Sequence, residues 1–315
     1  VGFPEFGLKA ACGNADGKGW WPANCHIIGQ DILWFHTVIW PTMLMSAGVP
    51  LPKVVYGHGF VNDQNGEKMS KSVGNVVDPI QQIKKYGSDS VRFFLIRSCP
   101  YGNDLPYSEA ALQDLHNADL ADTLGNLVNR GLNLCKKYCD SVIPDVPTDE
   151  PFDLWHTLNR MEEHMAAYKL DYGMYAAVAA AHDCNKYLAD MEPWKMKEGQ
   201  ETKRATVVRS ALEGCLILAH LLSPVIPEAC ATILEKLDFK QIPLTDLSEK
   251  FDNFTAGHKV AANCILFKKL DKDGEGGVAH KAKDKGAKAG KGGGGKAGKG
   301  SALPAAAGDS EPDTV

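Results

Sequence analysis

Among the nine cysteines of this 315-residue sequence no C-x-x-C pair occurs. That absence removes the usual zinc knuckle and dithiol redox motif. An odd, scattered set of thiols fits a reducing compartment, so a cytoplasmic location is expected. No stretch supplies the roughly 20 uninterrupted apolar residues that a membrane span needs. The run from Ile32 to Leu51 is broken by His36, Pro41 and Pro50, and the shorter run from Leu216 to Ile226 by His220 and Pro224. Both read as buried helices. No targeting segment is visible and no methionine opens the chain. Val1 stands inside a hydrophobic phrase, so further sequence is expected upstream of it. An excess of positive charge is lacking too. The formal net charge is -5, so any RNA contact must come from local patches.

What is present suffices for two domains and a tail, with an apolar fraction of 44%. Residues 1–24 are loop-like. Cys25 to Gly29 is a short apolar run ending in glycine, which suits a buried strand of a parallel sheet. Gln30-Asp31 opens a helix in which Ile32, Leu33, Phe35, Val38, Ile39 and Met43 keep a helical repeat. Val54-Val55-Tyr56 is the next strand. Strand, glycine and helix make half of a βαβ unit, and ligands of such sheets bind beyond the carboxyl ends of the strands. Asp78-Pro79 starts another helix, and Ser88-Asp89-Ser90 is a candidate cap for the run Val91 to Ile96.

The character changes after Pro100. From Ser108, a helix cap, to about Leu222, apolar residues recur at three- and four-residue intervals. The spacing predicts helices from Ser108 through Leu134, Asp153 to Leu170, Tyr172 to Met191 and Thr202 to Leu222, and one beginning at Pro227. Prolines punctuate them, and such an array makes a bundle. From Lys272 the chain is Gly, Ala and Lys with almost no large apolar residue, a composition expected to be disordered. Its lysines, from Lys281 to Lys299, suit either a solvated terminus or a sequence-blind RNA tether. The expected division is 1–106, 107–271 and a tail 272–315.

The most informative stretch is Lys68-Met69-Ser70-Lys71-Ser72, bracketed by Gly66 and Gly74 and followed by Asn75. Glycine-bracketed loops let a backbone approach a ligand closely. Two ammonium groups on such a loop suit a polyphosphate whose charge develops during reaction. A lysine pair in a surface turn is the alternative for an arbitrary K-x-x-K, but five specified residues are a far sharper signal.

This pentamer resembles the signature loop of class I aminoacyl-tRNA synthetases. Ile28-Gly29-Gln30-Asp31-Ile32-Leu33-Trp34-Phe35-His36, then Trp40-Pro41, His58-Gly59-Phe60 and the lysine loop resemble, in order and spacing, the methionyl-tRNA synthetase family. So do Asn117-Ala118-Asp119-Leu120, Leu124-Gly125-Asn126-Leu127 and Asn129-Arg130. Glu192-Pro193-Trp194 and Ala256 to Val260 complete the match. The resemblance covers residues 1 to 271. It implies an α/β, partial Rossmann-like (doubly wound) catalytic domain followed by an all-α anticodon-binding bundle. The implied reaction joins methionine to tRNA(Met) through methionyl-adenylate, with ATP and Mg2+. Lys71 is then the main phosphate-stabilising residue and Lys68 a helper. Other class members (isoleucyl, valyl, leucyl, cysteinyl) share the loop, and a non-catalytic RNA-binding module is the rival of another class.

The resemblance assigns Gly29, Asp31, His58 and Val61, with Lys71, to ATP. By its position alone Asp31 is either a ribose acceptor or an acid stabilised by a helix N-terminus. Ile32, Phe35 and His36 are assigned to the methionine side chain, where a polarizable apolar wall suits a thioether. On periodicity alone, core packing with a satisfied histidine is the favoured reading of these three. Asn126, Arg130 and Trp194 are assigned to the anticodon. Asn126 and Arg130 share a helix face, and an exposed tryptophan can stack on a base. Taken singly, they also read as a surface pair and a half-buried tryptophan.

Three departures stand out. The family's amino-terminal half, with its His-x-Gly-His motif and zinc-binding module, is not matched, so this chain alone is expected not to activate methionine. Zinc is expected only in that unmatched part. Gln30 stands where lysine is usual in the family, and Asp122 where an anticodon-reading asparagine is common.

Overall fold

The computed structural model describes residues 21–99 and 102–271. The tail expected from Lys272, and most of the amino-terminal loop, lie outside the described residues. Strand β1 (His26–Gly29) pairs in parallel with β2 (Val55–His58), Gly29 opposite His58. The expected second strand is therefore shifted toward His58. Between them runs one helical segment, α1: a 3-10 turn Gln30–Ile32, a π-helical turn Phe35–Ile39 and the α-helix Trp40–Ser46. Pro41 explains the widened turn. It has no N–H to give, and its ring would press on the carbonyl four residues back in a tight α-helix.

The expectation that Ile32 to Leu51 is buried does not hold. Trp34 is 63% exposed and Phe35 57%, and Ile32, Val38, Ile39, Met43 and Leu51 are exposed as well. A parallel strand pair is normally covered on both faces. Here Ile28 is buried and its neighbour Ile27, pointing the other way, is 70% exposed.

Short strands β3 (Val61–Asn62) and β4 (Leu105–Pro106) also pair in parallel. Between them lie the lysine loop, α2 (Pro79–Tyr86) and α3 (Ser88–Ser98). Asp78 caps α2 by accepting from Ile80 N at 2.9 Å. The expected cap on α3 is corrected: its N-cap is Gly87, at φ +87°, where a side chain would be strained. Asp89 instead accepts from the N–H of Ala229, in the first turn of a distant helix, at 2.7 Å.

The bundle follows. Helix α4 is continuous from Glu109 to Cys139, with a ten-residue π-helical stretch, His116–Gly125, between α-helical Glu109–Leu115 and Asn126–Cys139. Then come α5 (Leu154–Ala166), α6 (Leu170–Met191), α7 (Glu201–Leu222) and α8 (Pro227–Lys236). Ser108 caps as expected, and Asp153 caps α5 by accepting from His156 N at 2.8 Å. Helix α7 is the one described helix long and apolar enough to cross a membrane, and 89% of that stretch is buried inside the fold. Leu216 to Leu222 is thus part of a core helix, as expected, while residues 223–226 form the turn that follows it.

Two charged groups inside the bundle are held by hydrogen bonds to the closing segment. Glu213, fully buried, accepts from the N–H groups of Asn253 and Phe254 and from the Asn253 amide. Burial pushes its carboxyl up, against the pull of those donors. Arg209 donates to the carbonyls of Pro144, Val146 and Phe254. These contacts fasten the closing segment, and Ile143 N donates to His258 O at 2.8 Å.

Candidate functional site

Gly29 and His58 stand at the carboxyl ends of the paired strands β1 and β2, the edge where ligands of such sheets bind. Gly29 ends β1, and a Cβ built there would lie 2.7 Å from the Asp31 carboxylate and 4.0 Å from His58 Cε1. Gly29, Asp31 and His58 therefore meet, and only glycine leaves Asp31 room to fold back over the strand end. His58 Nδ1 donates to Gly59 O at 2.9 Å. The ladder to β4 uses Phe60 O and Asn62 O, so the N–H and C=O of Val61 face away from β4.

The lysine loop is anchored on one side and free on the other. Met69 packs into a hydrophobic cluster that includes Tyr86, Phe94, Leu105 and Tyr107. Asn75 staples the loop from within: its Oδ1 accepts from Ser70 N at 2.9 Å and its amide donates to Asp63 at 3.0 Å. The Asn75 amide, with the N–H groups of Glu67 and Asn65, holds the Asp63 carboxyl below the usual carboxylate range. Lys68 rests its ammonium 4.5 Å from the centroid of Phe60. Lys71, in the turn closed by Gly74 at φ +77°, is exposed and makes no ion pair among the described residues.

Phe35 and His36 line a cavity of about 510 Å³ with Trp21, His26, Ile39, Trp40 and Met43. Ile32 does not line it, but its carbonyl accepts from His36 Nδ1 at 2.9 Å. A carbonyl can only accept, so His36 carries its proton on Nδ1 and presents Nε2. The wall is aromatic: Trp21 meets Trp40 edge-on at 6.2 Å, and His26 meets His36 edge-on at 6.0 Å. Trp40 Nε1 and His26 Nδ1 are buried without a partner. Sequence reasoning missed Trp21, His26, Ile39, Trp40 and Met43 as lining residues. Trp40 lies in the quoted Trp-Pro and one turn from His36, a signal that could have found it.

Far along α4, Asn126 is exposed and Arg130 half-buried. The Arg130 guanidinium lies 5.2 Å from the ring of Trp194, which is 41% exposed. Trp194 sits in a 3-10 turn, Pro193–Lys195, after Glu192 in a left-handed conformation. Arg204 of α7 holds that turn by donating to Pro193 O at 3.0 Å and to Met196 O. Arg130 and Trp194 thus form one exposed platform with Asn126 on the same helix.

The two departures have partners. Gln30 donates to Asp104 at 2.9 Å. Asp122 pairs with Lys269 at 2.8 Å, both side chains exposed, a contact of little energetic weight. Among the described residues no group of three or more His, Cys, Asp or Glu could hold a metal ion, and all eight described cysteines are free thiols.

Comparison with known proteins finds relatives of the chain. Residues 9–132 match the family described as tRNA synthetases class I (M). Residues 127–286 match the anticodon binding domain of methionyl tRNA ligase. Methionine--tRNA ligase of Thermotoga maritima is 38% identical over 259 residues, 80% of this chain and 41% of that protein. The Nostoc sp. enzyme is 41% identical, covering 72% of this chain and 44% of its own length. The crystal structure of Mycobacterium tuberculosis methionyl-tRNA synthetase bound by methionyl-adenylate superposes with a TM-score of 0.73 at 34% identity, over 85% of this chain and 53% of that one. The chain thus spans between two-fifths and about half the length of these relatives.

Proposed function

The chain belongs to the methionyl-tRNA ligase family of class I tRNA synthetases, and from that premise we propose that it supplies the lysine-loop half of a methionine-activating site and the anticodon-binding bundle. The observation that carries the reading is the lysine loop itself, tethered through Asn75 and Asp63, with the Lys68 ammonium resting on Phe60 two residues beyond His58 at the end of β2. In the proposed reaction the methionine carboxylate attacks the α-phosphate of ATP. An oxygen–phosphorus bond forms, the bond to the departing pyrophosphate breaks, and methionyl-adenylate results. The acyl group then passes to the 3′ end of tRNA(Met). No enzyme nucleophile is needed; the work is alignment and charge stabilisation.

Asp31, Gly29, His58 and the backbone of Val61 form the adenosine side. Lys71 meets the charge developing on the phosphates, and Lys68 leaves Phe60 to help. Mg2+ accompanies ATP as part of the substrate. Phe35, His36 and Trp40 receive the thioether side chain, with Ile32 holding the His36 tautomer. Asn126, Arg130 and Trp194 read the unstacked anticodon. Residues 1–106 serve the first step and 107–271 the second partner, with 272–315 a tail, in the cytoplasm.

The test is methionine-dependent exchange of pyrophosphate into ATP by the full-length protein. Lys71→Ala is expected to lower it by about two to three orders of magnitude, in the range of a lost charge-stabilising group, while tRNA binding is retained. Unchanged exchange rejects the assignment. Retained tRNA binding with no exchange in the unsubstituted protein identifies a binding module instead.

A further inference from the structure

One exposed carboxylate outside the family's signature stretches holds the whole nucleotide side together. Asp104 Oδ1 accepts from Phe60 N at 2.8 Å and from Gln30 Nε2 at 2.9 Å, and its Oδ2 accepts from Asn62 Nδ2 at 3.1 Å. Those donors belong to two segments far apart in sequence: Gln30 at the helix start after β1, and Phe60 with Asn62 in the stretch that leads from β2 through β3 to the lysine loop. All three are neutral. Only a side chain with two acceptor oxygens takes all of them at once.

The backbone around Asp104 reinforces the contact. Leu105 N donates to Phe60 O and Tyr107 N to Asn62 O, each at 2.8 Å. The segment lies so close that a Cβ on Gly59 would be 2.0 Å from the carbonyl oxygen of Asn103. Asn62 is in turn bridged to Lys68, and Asp63 N donates to Glu67 O at 2.9 Å. Displacement of Asp104 is thereby transmitted to His58 and Val61 on one side and to Lys68 and Lys71 on the other. The aromatic cavity around His36 and Trp40 has no hydrogen bond to Asp104.

We propose that Asp104 is a positioning residue for the nucleotide: it sets the distance between the adenosine side and the lysine loop, without touching substrate. This inference rests on the functional reading above. It weighs on the two small-molecule substrates unequally: Phe60 and Asn62 lie on the ATP side, whereas Gln30 only opens α1, whose later turns carry Phe35, His36 and Trp40.

Two measurements test it on Asp104→Ala and Asp104→Asn. In pyrophosphate exchange by the full-length protein, Asp104→Ala should raise KM for ATP about tenfold or more, as misplacement of a reacting group does, and leave KM for methionine within about twofold. Asp104→Asn keeps one acceptor oxygen for Phe60 N and Gln30, so it should recover most of the loss. Equal rises in both KM values, or no rise in that for ATP, would overturn the proposal. In hydrogen exchange on the 315-residue chain, Asp104→Ala should speed exchange at the Phe60 amide and across 68–75, and Asp104→Asn much less. Unchanged protection at Phe60 also overturns it. If the unsubstituted protein shows no exchange of pyrophosphate, the functional reading fails, and the hydrogen-exchange result still decides whether Asp104 holds these segments. Should Asp104→Ala fail to fold, Asp104→Asn carries both measurements through the lost Asn62 contact: a smaller rise in KM for ATP alone and faster exchange across 68–75 are expected, and no change in either overturns the proposal.

Discussion

Helices α1 and α7 carry similarly apolar repeats, yet one is open and the other sealed. Trp34, Phe35 and Met43 of α1 are each more than half exposed, whereas α7 is buried at every residue from Thr206 to Leu222. The difference lies in what surrounds them. Helix α7 is packed by α4, α6 and α8, while α1 lies against a single pair of strands. A hydrophobic repeat reports which face of a helix avoids water. It does not report whether another layer exists to cover that face. Stability therefore concentrates in the bundle, and the α/β part keeps its apolar surface available around the aromatic cavity.

The sharpest way to break this comparison is a cavity in the bundle. Leu212→Ala, at a fully buried position, should cost about 2 to 5 kcal/mol in urea unfolding. A loss below about 1 kcal/mol would mean that stability resides elsewhere. Trp194→Ala should weaken binding of a tRNA with a CAU anticodon by about 1 to 3 kcal/mol, measured at fixed salt, with little change in unfolding. Equal affinity would remove the stacking role.

A pH test probes the seam between the two regions. Buried His116 takes a hydrogen bond on Nδ1 from Ser90 and donates from Nε2 to Lys268 O. Burial holds its imidazole below the usual histidine range, against the pull of the Lys268 carbonyl. The unfolded chain then binds the proton more readily, so His116 favours folding above about pH 6.5 and that contribution is lost as pH falls. Melting temperature should drop between pH 7.5 and 5.5, and His116→Gln should flatten the slope. An unaltered slope would place the titration elsewhere. The smallest effect is expected at the open helix: Phe35→Ala should change stability by no more than about 0.5 kcal/mol. A larger loss would show that the face is covered in solution.

Much of this was legible from residue patterns. The caps at Asp78, Ser108 and Asp153 are local chemistry, since each side chain bonds an N–H two or three residues away. The strand–glycine–helix start and the lysine loop are likewise local. Asp89 was misread because its partner, Ala229, is 140 residues distant. Asp104 was overlooked for the same reason: its donors, Gln30 and Phe60, are 74 and 44 residues away. Trp21 and His26 joined the aromatic cavity only through ring contacts across separate segments.

Order along the chain thus determined the helices, the glycine punctuation, the two-lysine loop and the family to which they belong, because each depends on neighbours within a few residues. The tertiary structure alone decided which apolar faces are sealed, which carboxylate joins the strand ends to the loop, and that Arg130 meets Trp194. Those outcomes depend on pairs far apart in sequence, and a spacing pattern holds no record of what lies across a fold.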